Sequence, residues 1–127
     1  MAESSQVLSD DVRHAPRRVE KPWGYELIWA HADRYVGKIL HIKAGQALSL
    51  QYHRQKDETI HLLTGSMRLE YDRGEGRREV LLQPGDSVRI RPGMLHRMIA
   101  VTDCDVLEAS TPELDDVVRL EDRYGRK

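Results

Sequence analysis

Four residues in this chain have the types and spacing to hold a metal ion: Gln51, His53, Glu58 and His96. Three of them lie in one stretch of the form G-x5-Q-x-H-x4-E-x6-G, running from Gly45 to Gly65. The fourth closes a second stretch, from Gly85 through Pro92 and Gly93 to His96. Neutral imidazoles and carboxylate or amide oxygens, converging from different strands, form a donor set suited to a divalent cation. Taken singly, each of the four reads as a surface or turn residue. Their joint spacing with Gly45, Gly65, Gly85 and Gly93 points to one shared site.

Such a site needs elements to position it. Residues 23–29, 35–42, 47–52, 59–63, 67–71, 79–82, 87–90, 96–101, 106–110 and 117–120 read as short strands. Turn signals separate them, among them Lys43 to Gly45, Thr64-Gly65, Gln83 to Asp86 and Arg91 to Gly93. Short strands at regular spacing, with no long helical pattern, predict an all-β sandwich or barrel. Side chains alternate faces along a strand, so Gln51 and His53 share a face with Ser49, while Leu48, Leu50 and Tyr52 point the other way. Glu58, Ile60 and Leu62 share a face, as do His96 and Met98. One polar ligand per strand among apolar neighbours is what a small barrel interior offers.

Composition narrows the function classes. A chain of 127 residues suffices for one domain with a core. Twenty basic and twenty-one acidic residues nearly cancel, with no basic stripe, which disfavours a nucleic-acid partner. Phe is absent, so Val, Ile and Leu must form most of the core. The single cysteine, Cys104, has no partner within the chain for a disulfide and reads as structural, its flanking aspartates raising a thiol pKa. No apolar run approaches membrane-spanning length and no secretory signal is visible, so a cytoplasmic protein without a membrane partner is expected. Residues 1–18 read as a flexible tail and 19–127 as the folded domain.

At this point the two stretches resemble the paired motifs of the cupin superfamily, G-x5-H-x-H-x4-E-x6-G and G-x5-P-x-G-x2-H-x3-N. Here Gln51 replaces the first His, Arg91 the Pro and Ala100 the Asn. Gln at that position is characteristic of the mannose-6-phosphate isomerase branch. Lys21 to Glu26 resembles its R-P-W-G-x-Y-E segment, one residue shorter. Lys38 to Gly45 resembles its K-R-I-x-V-K-P-G, and Leu48 to His53 its L-S-L-Q-x-H. His96-Arg97 matches the end of its T-V-H-R, and Asp115 to Arg126 its E-D-D-I-V-R-x-E-D-R-Y-G-R tail. The resemblance covers roughly Val19 to Arg126 and is greatest to the C-terminal isomerase domain of bifunctional mannose-6-phosphate isomerase/mannose-1-phosphate guanylyltransferases.

The resemblance implies a cupin double-stranded β-helix, or jelly-roll barrel, with Gln51, His53, Glu58 and His96 as metal ligands. It implies Zn first, with Mn, Fe, Co or Ni open, because Gln is a weak neutral ligand. It also implies aldose–ketose isomerisation of a sugar or sugar phosphate, such as mannose 6-phosphate to fructose 6-phosphate, by enediol proton transfer. Such chemistry needs a base or proton shuttle. Lys38, on the face of Leu40 and Ile42, is the first candidate, with a snorkelling strand-end lysine as the alternative. Arg97 is a second candidate, for phosphate or enediolate charge, although alternation points it away from His96. Arg54 and Lys56 read as solvated loop cations. His61 reads as a surface or packing residue, and Trp23 as a core or interface aromatic. Arg119, Arg123, Tyr124 and Arg126 either close the barrel mouth or pin the C-terminus.

Two other classes compete. One is a non-catalytic metal-bearing carbohydrate or small-molecule binding module. The other is an oxygenase, which Gln51 disfavours. Small jelly rolls of this kind tend to pair through strands, so a homodimer is expected, and light scattering at micromolar concentration should return twice the chain mass. A strictly monomeric mass would refute that expectation.

Overall fold

The computed structural model describes residues 12–127 and contains, among them, eleven β-strands and no helix. These are β1 (Arg17–Lys21), β2 (Gly24–His31), β3 (Val36–Ile42), β4 (Leu50–Tyr52), β5 (Glu58–Thr64), β6 (Met67–Asp72), β7 (Arg78–Leu82), β8 (Ser87–Ile90), β9 (Leu95–Ala100), β10 (Cys104–Ser110) and β11 (Val118–Glu121). All ten expected segments recur as strands. The largest shift is at β4, because residues 47–49 keep only an isolated bridge from Ala47 to Ile99. The additional strand is β1. Its sequence, RRVEK, shows no apolar alternation because it is a charged, mostly exposed edge strand, a composition that discourages pairing with other chains. The expected tail falls mostly on residues 1–11, outside the described residues, while Arg17 and Arg18 open β1.

The strands form two antiparallel sheets, one in the order β1-β2-β3-β10-β5-β8 and the other β11-β4-β9-β6-β7. Neighbours far apart in the chain, such as β3 beside β10 and β4 beside β9, give the crossed connectivity of a jelly roll. Between the sheets, Leu40, Ile42, Ile60, Leu62, Ile90 and Val106 pack with Met67, Leu69, Leu82 and Met98. Burying each large aliphatic side chain contributes about 1.5–3 kcal/mol, which makes this layer the main stabilising element. Among the described residues, no helix is long and apolar enough to cross a membrane.

The inward faces are not uniform along the strands. On β3 the buried series is Lys38, Leu40, Ile42; on β5 it is Glu58, Ile60, Leu62; on β10 it is Val106, Glu108, Ser110. Register aligns these series: Val106 lies opposite Leu40, Glu108 opposite Lys38, and Ser110 opposite Glu58. The interior therefore has an apolar end and a charged end, each built from the same strands. Cys104 belongs to the apolar end. It is fully buried, and burial together with Asp105 and Asp103 pushes its thiol above the ordinary range.

Close approach of β2 to β3 depends on Gly24, which follows the buried Trp23 and adopts a positive φ of 152°. A Cβ there would lie 1.9 Å from the carbonyl oxygen of His41, a backbone atom unable to yield without moving β3. Gly24→Ala should therefore cost at least about 2 kcal/mol of stability. Urea unfolding of the variant against the parent chain checks this; an unchanged midpoint would contradict the packing described.

Candidate metal centre

At the charged end, His53, Glu58 and His96 converge. Their ligand atoms all lie within 4.8 Å of one another, and all three side chains are buried. Glu58 opens β5 in one sheet, His96 sits in β9 of the other, and His53 follows β4 on the connection between the sheets. His53 Nε2 is 3.1 Å from Glu58 Oε2, and His96 Nε2 is 3.4 Å from the same oxygen. The two imidazole centroids are 5.2 Å apart. Gln51 lies directly opposite His96 in the β4–β9 ladder and lines the same cavity, its Oε1 accepting a hydrogen bond from Ser49 Oγ at 2.5 Å.

The outer nitrogens of both rings are committed. His53 Nδ1 donates to the Asp116 carbonyl at 2.5 Å and His96 Nδ1 to the Met94 carbonyl at 3.0 Å. A carbonyl has no proton to give, so in the neutral rings both Nε2 atoms are left as lone-pair acceptors facing a carboxylate. His96 Nε2 is buried without a hydrogen-bond partner. A divalent cation would satisfy all three donor atoms at once. Burial works to raise the Glu58 carboxyl pKa. The contacts with His53 and His96 and the charge of Lys56 outweigh it, holding the group well below the usual carboxylate range. The residues fit a metal ion.

Around the cluster lies a second set of charges. Lys56 is buried, with Nζ 3.3 Å from Glu58 Oε1 and 2.9 Å from Glu108 Oε2. Burial alone would lower its pKa, but the charges of Glu108 and Glu58 reverse this and raise it. Glu108 is itself pushed up by burial and by the nearby Glu58 charge, which Lys56 and Lys38 only partly offset. Lys38, also buried, places Nζ 3.3 Å from Glu26 Oε1.

These placements revise part of the expectation. Lys56 is not a solvated loop cation. The connection after His53 curls inward because the Asp116 carboxylate accepts hydrogen bonds from the backbone N–H groups of Arg54, Gln55 and Lys56. Lys56 lies between β4 and β5, outside either strand, so face alternation gave no signal of its inward course. Glu26 and Glu108, not singled out by sequence, also reach the cavity. Lys38 does face inward. Arg97, in contrast, lies on the opposite face of β9 from His96 and pairs with Glu70 at 2.9 Å and Glu121 at 3.4 Å. His61 bonds Ser87 Oγ on the outer face. The C-terminal segment is pinned to the barrel: β11 pairs with β4, and Tyr124 and Arg123 bond Gln46 and the Gly45 carbonyl, while Arg119 and Arg126 line the cavity.

The family model for the cupin domain matches residues 38–109, which carry Gln51, His53, Glu58 and His96 on the two-sheet barrel. The chain belongs to the cupin family. It is 37% identical over 119 residues to mannose-1-phosphate guanylyltransferase ManC of Salmonella typhimurium, covering 89% of this chain and 24% of that protein. The xanthan biosynthesis protein XanB of Xanthomonas campestris is 35% identical over 116 residues, covering 87% and 24%. This cupin thus spans about a quarter of the length of these relatives and corresponds to their C-terminal portions. Among solved structures, KdgF from a Halomonas species superposes with a TM-score of 0.67 at 21% identity, over 80% of this chain and 89% of that one, a likeness of fold.

His53→Ala and His96→Ala should each remove stoichiometric metal from the purified protein, as measured by elemental analysis after metal loading and desalting. Retention at the parental level in both variants would contradict this cluster as the metal centre.

Proposed function

We propose that this cupin is a metal-dependent sugar-phosphate isomerase, interconverting an aldose such as mannose 6-phosphate and the ketose fructose 6-phosphate. The observation that carries the reading is that His53 and Glu58, two of the three clustered donors, line the same cavity as the Lys38 side chain. The relation to chains named as mannose-1-phosphate guanylyltransferases supports a mannose-derived substrate.

His53, Glu58 and His96, with Gln51 beside them, would hold the ion, Zn in the first instance and Mn, Fe, Co or Ni as alternatives. When bound, a divalent ion supplies Lewis-acid polarisation of a carbonyl and its neighbouring hydroxyl. The protein's own residues do the rest. A cavity of about 180 Å³ admits a small polar molecule rather than a large one. Its walls include Trp23, Leu40, Leu48 and Met98, which exclude water from part of the space. Arg17, Lys21, Arg119 and Arg126 also line the cavity, Arg126 being paired with Asp122, and the positive charge they bring suits a phosphate. Lys38 would carry a proton in this reading. Arg97, paired outside the barrel, supports the strand from its outer face in this reading. The homodimer and cytoplasmic location expected from sequence accompany the proposal.

A second reading, a metal-bearing carbohydrate-binding module without turnover, draws on one observation: Lys38 is engaged by Glu26 rather than free. A proton NMR time course separates the two. Metal-loaded protein with mannose 6-phosphate in heavy water should give fructose 6-phosphate and deuterium at C2, and the His53→Ala variant neither. No exchange in the wild type would reject turnover of this substrate.

A further inference from the structure

Buried charges at a strand centre are costly, and a barrel of this size packs more stably with apolar residues in their place. Two lysines enter this interior. Lys56 is consumed by the metal cluster, wedged between Glu58 and Glu108. Lys38 is paired differently, with Glu26, a carboxylate that contacts none of the three cluster residues. The pair is set by register: Lys38 lies opposite Ile28 and Glu26 opposite Leu40, so the two side chains are diagonal neighbours on the inner face of β2 and β3. Both line the cavity shared with His53 and Glu58. The Lys38 side chain is 6% exposed and that of Glu26 14%, so the carboxylate is the more open of the two. Lys38 reaches only Oε1, and among the described residues no other side chain or backbone group bonds the Glu26 carboxylate. One of its oxygens therefore keeps its lone pairs for the cavity.

Building on the isomerase reading, we infer that Glu26 is the base that moves the carbon-bound proton and that Lys38 is its partner for the oxygen-bound ones. In an ion pair the lysine holds a proton and the glutamate holds the lone pair, so Lys38 is placed to act first as an acid. The steps balance on these two groups alone. Glu26 removes the proton from C2 of the open-chain aldose, and the C–H electron pair becomes the C1–C2 double bond. The carbonyl π pair moves to O1, which takes a proton from the Lys38 ammonium and leaves a neutral enediol. The Lys38 amine then removes the proton from O2, whose electrons form the new carbonyl at C2. The C1–C2 π pair recovers the Glu26 proton at C1. One proton has moved between carbons, one between oxygens, and the pair is restored. The same arrangement turns the engagement of Lys38 by Glu26 from an objection to catalysis into its working state.

Glu26→Gln tests this because it keeps the shape and an oxygen acceptor for Lys38 while removing the base. Wild type, E26Q and K38M are metal-loaded, and each is followed by deuterium uptake at C2 of mannose 6-phosphate. Metal stoichiometry and calorimetric affinity for a phosphorylated hydroxamate analogue of the enediol are measured in parallel. In E26Q, C2 exchange should fall by about 10²–10⁴-fold, the scale of general-base catalysis, with metal content and thermal midpoint kept near parental values. Analogue binding should weaken in K38M, which loses the ammonium that faces developing oxygen charge, more than in E26Q. Parental exchange in E26Q beside an active wild type overturns the role of Glu26 alone. Loss of exchange in E26Q accompanied by loss of metal assigns Glu26 to support of the metal centre and likewise overturns it. An inert wild type overturns the isomerase reading and this role together.

Discussion

Charge balance in a closed space is the constraint on which the rest of this molecule depends. Glu26, Glu58, Glu108, Lys38, Lys56 and His53 line one cavity, and His96 is buried directly behind Glu58. None of these groups is stable there alone, since an unpaired buried ion costs several kcal/mol. They persist because each faces a complement. Lys56 lies between Glu58 and Glu108, Lys38 against Glu26, and the two imidazoles against Glu58. The network still lacks one element, since the inner nitrogen of His96 is buried without a hydrogen-bond partner. A divalent cation is a species that would complete it, and the cupin assignment is consistent with that chemistry.

The division of the interior into an apolar and a charged end explains how so small a domain tolerates this. Each inward-facing series changes character along its strand: Leu40 and Ile42 give way to Lys38, Ile60 and Leu62 to Glu58, and Val106 to Glu108. The aliphatic ends provide the burial that stabilises the sheets, and the charged ends are held in place by backbone hydrogen bonding already formed. The cost of the site is thereby carried by the same ladders that make the core.

Much of this was legible in the sequence, for a physical reason. Strand periodicity of two is rigid, so once Gln51 and His53, or Lys38, Leu40 and Ile42, are placed on strands, their common face follows. The same rule correctly turned Arg97 away from His96 and His61 away from Glu58. What parity does not reveal is which strands become neighbours. The pairing of Lys38 with Glu26 depends on the β2–β3 register, and that of Lys56 with Glu108 on residues more than fifty positions apart. Lys56 was obscured further by lying outside a strand, where its inward course is imposed by Asp116 from across the sheet. β1 was hidden because an exposed edge strand needs no apolar alternation.

The carbonyl that orients His53 belongs to Asp116, 63 residues later in the chain. That carbonyl is held in place where the chain runs into β11, which pairs with β4. The last strand supplies no donor to the cluster, yet its docking decides which nitrogen of His53 faces Glu58. A chain end that touches none of the three donor atoms thus sets the direction of one of them.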